Sequence, residues 1–272
     1  MRIIVCVKQV YDPKSIRISR SREELDMREA VLITNPPDRY ALEAALRLRE
    51  TAGGEVIALT VGDAAAEDTA REAVAIGADR AVLVTGSLKL EAETNAASPV
   101  PSFQLLASSV VTRIIAAVVD RLAPVDLALT GQIGLPDGAG GLAPRLAAAL
   151  GWPVTLDVVR FEPAAEGLTA IVATSEGGQA VPLATPAVAA VIPGVERPRY
   201  PYPARIANAW EPGLVETVSP ADLGLGADDL APDTEPGGLI LGPERIRGQV
   251  IGGSVEEAAA ALVGALRAKR VI

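Results

Sequence analysis

The glycine-rich stretch "TGQIGLPDGAGGLAPRL", residues 130–146, carries the residue types in this chain that best suit ligand binding. It places five glycines and two prolines between an apolar run and an alanine-rich segment. Glycine lets a ligand approach the backbone closely, and free amides at a helix N-terminus attract an anion. The stretch is therefore a candidate phosphate-binding loop, although a glycine-rich surface turn that binds nothing accounts for its composition equally well.

The loop matches neither of the two best-known phosphate motifs. A P-loop needs Gly-Lys followed by Ser or Thr, and this triplet occurs nowhere in the chain. The dinucleotide fingerprint belongs after the first strand, where the chain has "KQVYDP" instead. We therefore do not expect hydrolysis of a nucleoside triphosphate.

Residue types that are absent or rare exclude several catalytic classes. The chain has no histidine, which excludes a Ser-His-Asp triad, a His-based zinc centre and a histidine general base. Its one cysteine, Cys6, excludes an intramolecular disulfide and suits a reducing cytosol. Within "IIVCV" we expect Cys6 to be a small buried thiol. The sequence predicts no metal site and no enzymatic turnover of its own.

Charge and composition limit the partners. The chain has 25 basic and 34 acidic residues, a net charge of -9, which argues against nucleic acid and anionic membranes. Its 272 residues are 49% apolar but 3% aromatic, so Ala, Val and Leu must fill the core of a large α/β domain. The apolar segment 103–122 contains Gln104 and Arg113, which predicts a buried helix instead of a membrane span. Lys8 interrupts the apolar start, so no signal peptide is expected and the protein is predicted to be cytoplasmic.

The elements that must position the loop follow an alternating pattern. The apolar runs "RIIVCV", "EVIALTVG", "RAVLVTG" and "VDLALTG" predict four strands, separated by helical segments. Asp38 is a candidate cap for the first helix, and Asp63 for the second. Such alternation implies right-handed crossovers and a parallel sheet, whose ligands bind at the carboxyl ends of the strands. The glycine-rich loop lies at such an end, because it follows the fourth strand and precedes a helix beginning near Ala143.

The second half of the chain has a different pattern. "VTLDVVRFE", "GLTAIVATS" and "QAVPLATPAVAAVIP" predict extended segments, and "EGG" at 176–178 predicts a hairpin, so we expect an antiparallel addition. The prolines of residues 193–206 predict an exposed, stiff loop. Residues 224–247 are rich in Gly, Pro and Asp, typical of an extended arm, and a closing helix begins with a Ser254/Glu257 capping box.

Several segments, taken in order, resemble the beta subunit of electron-transfer flavoprotein. They are "VCVKQVYDP", "NPPDRYALEAALRLRE", "VGDAAAEDTAREAVAIGADRAVLV", "VDLALTGQIGLPDG", "LGWPVTLDV", "TPAVAAVIPGVERPRYP" and "VSPADLG". The similarity is collinear over nearly the whole chain. It implies a mostly parallel α/β sheet of the adenine-nucleotide α-hydrolase-like (Rossmann-like) type, with an antiparallel hairpin addition and an extended C-terminal arm. The implied domains are a nucleotide-binding domain over 1–223, including a partner-recognition loop at 193–206, and an arm and helix over 224–272 that contact an alpha subunit.

The resemblance also implies a function. With an alpha subunit the chain would form a heterodimer carrying one shared FAD, a non-catalytic carrier that relays electrons from dehydrogenases to a membrane quinone oxidoreductase. The beta subunit would bind AMP, or a second FAD in electron-bifurcating members. Carried over by position, the nucleotide pocket consists of Cys6, Asn35, Pro36, Pro37, Asp38, Val61, Gly131, Gln132, Ile133, Gly134, Asp137, Gly138, Ala139, Gly140, Gly141 and Leu142. The candidates for partner recognition are Tyr200, Tyr202, Pro203 and Ile206.

Within that pocket the resemblance assigns roles. The backbone near Cys6 and Val61 would meet the adenine edge, Asn35 would bond the nucleoside, and the amides of residues 138–141 would hold the phosphate. The family's basic residue is replaced by Gln132 and one of its acids by Pro136, which leaves the amides to carry more of the affinity.

A second interpretation is a stand-alone adenine-nucleotide sensor of the universal-stress-protein type, a flavin-free homodimer. The Gly/Pro-rich arm argues against it, because such an arm has more use around a partner.

Overall fold

The computed structural model describes residues 1–19, 24–86, 108–135, 138, 140–165, 167–194, 196–233 and 248–272. The chain divides into two compact units, Met1–Pro236 and Gly237–Ile272. The first unit is an α/β domain. In the described part of the second unit, one helix with an N-terminal capping box forms as predicted: Ser254 accepts from the amide of Glu257, whose side chain accepts from the amide of Ser254.

A nine-stranded sheet forms the centre of the first unit. The strands are β1 (Arg2–Cys6), β2 (Gln9–Tyr11), β3 (Arg17–Ser19), β4 (Glu24–Asp26), β5 (Leu32–Thr34), β6 (Glu55–Val61), β7 (Arg80–Val84), β8 (Leu127–Gly131), β9 (Val154–Pro163), β10 (Leu168–Thr174), β11 (Gly177–Leu183), β12 (Ala187–Val191) and β13 (Val215–Val218). The order in the large sheet is β11-β10-β9-β12-β8-β1-β6-β7-β13, and β2–β5 and β3–β4 form small antiparallel pairs. Neighbours in the large sheet run parallel except for the hairpin β10–β11 and its pairing with β9.

Helices cover both faces of this sheet. The helices of the first unit are α1 (Pro36–Ala52), α2 (Glu67–Ile76), α3 (Ser108–Arg121), α4 (Leu142–Leu150) and α5 (Pro203–Asn208). The described part of the second unit contains α6 (Val255–Ala268). Successive residues of β1 point to opposite faces: Ile3 packs in one core cluster with α1 and α2, and Ile4 in another with α3 and α4. The predicted fold class is thus confirmed as α/β, mostly parallel and covered on both faces, with an antiparallel hairpin.

The four strands predicted from apolar runs all form, but the prediction for the third extended segment was wrong in part. "QAVPLATPAVAAVIP" is two strands, and its second half, β12, is a buried parallel strand between β8 and β9. Only β10 and β11 form the antiparallel addition. Their hairpin turns at Ser175 and Glu176, so the two glycines of "EGG" begin β11.

Two local predictions also need correction. Helix α1 begins at Pro36 with Asn35 in the N-cap position, so Asp38 lies in the first turn and does not cap the helix. The predicted loop 193–206 ends before Pro203, which begins the short helix α5, because proline fits the first turn of a helix without losing a hydrogen bond. Of the predicted helix 103–122, residues 103–107 lie outside the described part of the chain, and α3 covers 108–121.

Among the described residues, no helix combines the length and the apolar character needed to cross a lipid bilayer.

Candidate functional site

The candidate site lies where the connections of the sheet diverge. Strand β1 is central, with β6 on one side and β8 on the other, so the chain leaves the carboxyl ends of β1 and β8 in opposite directions. Such a switch point opens a crevice, the usual ligand site of open parallel sheets. A cleft lies there, with an empty volume of about 1020 Å³ that includes the open solvent at its mouth.

Many of the predicted pocket residues line this cleft. They are Cys6, Asn35, Asp38, Val61, Gly131, Gln132, Ile133, Gly134, Gly141 and Leu142. Pro36, Pro37, Gly138 and Gly140 are not among the residues that line it, although Pro36, Pro37 and Gly140 are each next in sequence to one that does. Asp137 and Ala139 lie outside the described residues. The structure thus brings together residues from β1, β6, β8 and the starts of α1 and α4.

Asn35 fastens the glycine-rich loop to the rest of the site. Its buried side chain donates to the carbonyl of Ile133 (3.0 Å) and accepts from the amide of Leu135 (3.1 Å). Its own amide donates to the carbonyl of Lys8 (2.8 Å). These bonds engage Asn35 in holding the loop, whereas the resemblance assigned it to the nucleoside.

Asp38 lies buried between two strand ends. Its Oδ2 accepts from the amide of Lys8 (2.8 Å) and its Oδ1 from the amide of Gly131 (3.1 Å). Burial raises the pKa of Asp38 to about 7, despite these bonds and the charge of Lys8. Burial and the nearby Asp38 raise the pKa of Cys6 to about 12, so this cysteine is a neutral, unreactive thiol.

The start of α4 offers backbone amides toward the cleft. Gly141 occupies the N-cap position and, as a glycine, supplies no side-chain cap to the helix. The first bond closing the helix runs from the amide of Arg145 to the carbonyl of Gly141 (3.3 Å). The amides of Leu142 and Ala143 precede it, and an anion is the usual partner for such groups.

The opposite wall contains polar residues that sequence reasoning did not place in the pocket. Gln9 is 4% exposed and lines the cleft; its Nε2 donates to the carbonyl of Ala65 (2.8 Å), while its Oε1 has no partner among the described residues. Lys8 also lines the cleft, and its side chain is exposed. The remaining walls are Val7, Leu59, Ser108, Val111 and Ile115. The sequence predicts β6 and α3 as apolar elements, but no pattern in it indicates that they line a site.

Two hydrogen bonds tie the side chain of Gln132 to β9. Its Nε2 donates to Asp157 Oδ1 (2.7 Å), and its Oε1 accepts from the amide of Asp157 (2.9 Å). Asp157 adopts φ 56°, in the left-handed region that aspartate enters more readily than most residues. The side chain at this position therefore supplies a neutral brace between loop and sheet instead of a positive charge.

The segment predicted to recognise a partner projects from the first unit. Tyr200 is 86% exposed and Tyr202 73%, and Pro203 and Ile206 are exposed at the start of α5. The preceding Arg199 is firmly anchored: it donates to the buried Glu43 of α1 through Nε (2.8 Å) and to Glu50 through one terminal nitrogen (2.6 Å). The segment thus presents exposed aromatic rings on an ordered base.

A model of the electron transfer flavoprotein domain matches residues 26–223. The electron transfer flavoprotein subunit beta of Thermoanaerobacterium thermosaccharolyticum is 28% identical, covering 100% of both chains. The caffeyl-CoA reductase-Etf complex subunit CarD of Acetobacterium woodii is 29% identical, again covering 100% of each. The mitochondrial electron transfer flavoprotein subunit beta of Oryza sativa subsp. japonica is 31% identical, covering 94% of this chain and 95% of the relative.

The family match spans most of the α/β domain, and the relatives match along the full length. The family predicted from the collinear segments is therefore confirmed. The chain belongs to the electron transfer flavoprotein beta subunit family.

Proposed function

We propose that this chain is the beta subunit of a heterodimeric electron carrier and that its switch-point cleft holds an adenine nucleotide. The partner is an alpha subunit, and the heterodimer carries one shared FAD. The flavin supplies the redox chemistry, while the protein positions it and takes no catalytic part of its own. Electrons pass from flavin dehydrogenases to a membrane quinone oxidoreductase.

The observation that carries the nucleotide site is that the start of α4, where the N-cap is a glycine, meets the cleft at the switch point. The amides of Leu142 and Ala143 suit a phosphate, since free amides and the helix dipole favour an anion there. On the other wall, the orientation of Gln9 is set by its bond to Ala65, which leaves a buried acceptor without a partner. A buried oxygen of this kind favours a ligand that brings an N–H or O–H group, as an adenosine does.

The identity of the nucleotide has two candidates, AMP and a second FAD. Both contain the adenosine monophosphate moiety that the start of α4 and the β1–β6 wall suit. One full-length relative is named as part of a caffeyl-CoA reductase-Etf complex, and for this reason we retain a second FAD as a candidate. We therefore propose an adenine nucleotide, with the choice between the two left to measurement.

The exposed rings of Tyr200 and Tyr202, together with Pro203 and Ile206, form the proposed docking surface for a dehydrogenase. Tyrosine is favoured at interfaces, and a segment already ordered by Arg199 loses little freedom on binding. The C-terminal segment 224–272 is proposed to contact the alpha subunit. In α6, Leu262 is 49% and Val263 39% exposed, which is apolar surface available to a partner.

The test is to purify the chain co-expressed with its alpha subunit and to quantify the nucleotides released on denaturation. One FAD and one AMP per heterodimer, or two FAD, would support the proposal. A heterodimer with one FAD that contains no further nucleotide, and binds neither AMP nor FAD when they are added, would contradict the site. A flavin-free homodimer that binds adenine nucleotides would instead favour the stress-protein-type sensor.

A further inference from the structure

One carboxylate joins the two strand ends that form the cleft. Asp38 Oδ2 accepts from the amide of Lys8, just beyond β1, and Oδ1 accepts from the amide of Gly131, the last residue of β8. Asp38 itself lies in the first turn of α1 and is 5% exposed. The side chain therefore links three elements at the point where the sheet opens.

Gly131 is shaped for this contact. A Cβ at this position would lie 2.4 Å from Asp38 Oδ1, 2.7 Å from the carbonyl carbon of Pro37 and 2.8 Å from the amide nitrogen of Asp38. Since these distances are far shorter than any side chain tolerates, only glycine lets α1 approach the end of β8 this closely. The close contact between Asp38 and the end of β8 therefore depends on glycine at position 131.

Burial opposes the charged form of Asp38, while the amides of Lys8 and Gly131, the side chain of Asn35 and the charge of Lys8 favour it. The thiol of Cys6 on β1 is neutral, and on α1 the neighbouring Arg39 pairs with Glu72 of α2 (2.5 Å). Lys8 is the cation that faces Asp38 from beyond β1, and the end of β8 contributes the uncharged Gly131 and Gln132. Desolvation outweighs the charge of Lys8, which is why the pKa of Asp38 is raised to about 7. A buried carboxylate that costs stability indicates a functional reason for its presence.

We propose that Asp38 is a positioning residue for the nucleotide: as a carboxylate it clamps the ends of β1 and β8 at the separation that the ligand requires. This inference rests on the proposed function. A carboxylate accepts from both amides with charged oxygens, whereas in the protonated acid one oxygen is a hydroxyl, which is a weaker acceptor. Protonation therefore weakens the hold on one strand end, and nucleotide binding favours the ionised form.

The experiment measures nucleotide binding by calorimetry on the heterodimer freed of bound AMP, from about pH 6 to about pH 8.5 so that the titration of Asp38 is spanned. Asp38→Asn keeps the size of the side chain but offers one acceptor only. The matched control is Asp126→Asn. Asp126 also accepts a bond from a strand amide, that of Arg2 (2.6 Å), but it lies at the amino ends of β1 and β8, away from the cleft.

We expect AMP to bind Asp38→Asn at least tenfold more weakly than wild type at about pH 8, a change of about 1.4 kcal/mol. Relative to the variant, the affinity of the wild type should rise with pH through about 7. Asp126→Asn should bind as wild type does. Adenosine, which has no phosphate to titrate, should release protons near neutral pH when it binds the wild type, and this measurement needs no variant.

Equal AMP affinity and equal pH dependence in wild type and Asp38→Asn would overturn the positioning role while leaving the nucleotide site in place. The same holds if adenosine binds the wild type without releasing protons, or if affinity rises as the pH falls. A wild-type heterodimer that binds neither AMP nor FAD would overturn the proposed function together with this inference.

Discussion

The buried anchor of the docking segment gives a quantitative prediction for Glu43→Gln. The Glu43 side chain is 3% exposed. It accepts from Arg199 through the amide (3.1 Å), Nε (2.8 Å) and a terminal nitrogen (3.0 Å), and from Arg47 through Nε (2.7 Å). Burial alone would raise the pKa of Glu43, but the bonds from Arg199 and Arg47 outweigh it and lower the pKa below its ordinary value.

The cost of removing this charge follows from the burial of each partner. Breaking a buried ion pair costs about 3–5 kcal/mol when a charge is left stranded. Here the side chains of Arg199 and Arg47 are 33% and 45% exposed, so water reaches both, and glutamine retains one acceptor. We therefore expect Glu43→Gln to lower the free energy of unfolding by about 2 kcal/mol. For a domain of this size that corresponds to a fall in Tm of about 4–8 °C.

Glu50→Gln is the matched control, because Glu50 binds the same Arg199 (2.6 Å) but its side chain is 48% exposed. It should cost at most about 0.5 kcal/mol, as exposed pairs do. Thermal unfolding measures both variants at neutral pH. Limited trypsin digestion adds a local measure, since loss of the anchor should speed cleavage after Arg199 and Arg205. Equal changes in Tm for the two variants, with unchanged cleavage, would refute the assignment of Glu43 as the anchor.

The lowered pKa of Glu43 also sets the sign of the pH dependence. A glutamate with a lowered folded-state pKa contributes stability that is complete above its ordinary pKa and is lost as the pH falls through the folded value. The difference in stability between wild type and Glu43→Gln should therefore be constant at neutral pH and shrink below about pH 4. A difference that grows on acidification would contradict this account.

Four further predictions concern other parts of the chain. Gly131→Ala should cost about 1–3 kcal/mol by overpacking against Asp38 and should weaken AMP binding; thermal unfolding and calorimetry measure the two effects. Because its pKa is raised in the folded state, Asp38 should make the wild type less stable as the pH rises from about 4 to about 7. Asp38→Asn should lack this decrease, and denaturant titrations across the same pH range measure the difference. Tyr202→Ala should weaken dehydrogenase binding about tenfold with no change in Tm, since the ring is 73% exposed; equal binding would remove Tyr202 from the docking surface. Ser254→Ala should destabilise α6 by about 1 kcal/mol, seen as faster amide exchange in its first turn.

Local signals in the sequence are sufficient to predict the four strands that come from continuous apolar runs. Strands β1, β6, β7 and β8 are continuous apolar runs. The residues between them also indicate where elements begin and end: Asp63 caps the turn that leads into α2, and Gly77 ends that helix. The position of the glycine-rich loop at a carboxyl end follows from that pattern. The prediction fails at β12, because alternation and apolar content do not distinguish a buried parallel strand from one arm of a hairpin.

The contacts that form the site depend on residues far apart in the chain. Asp38 was predicted as a cap from its neighbours, but its partners Lys8 and Gly131 are 30 and 93 residues away. Gln9 was not predicted to line the cleft, because its partner, the carbonyl of Ala65, lies 56 residues along the chain. Local patterns locate the loop, whereas the geometry around it depends on how the strands are ordered in the sheet.

The central claim, an adenine nucleotide in the switch-point cleft, is tested most directly by photolabelling the heterodimer with 8-azido-AMP and mapping the modified peptides. We expect labelling that AMP competes away, confined to peptides containing residues 6–9, 59–61 or 131–142, which contribute to the walls of the cleft. Competed labelling confined to other parts of the chain, or to the alpha subunit, would contradict the account.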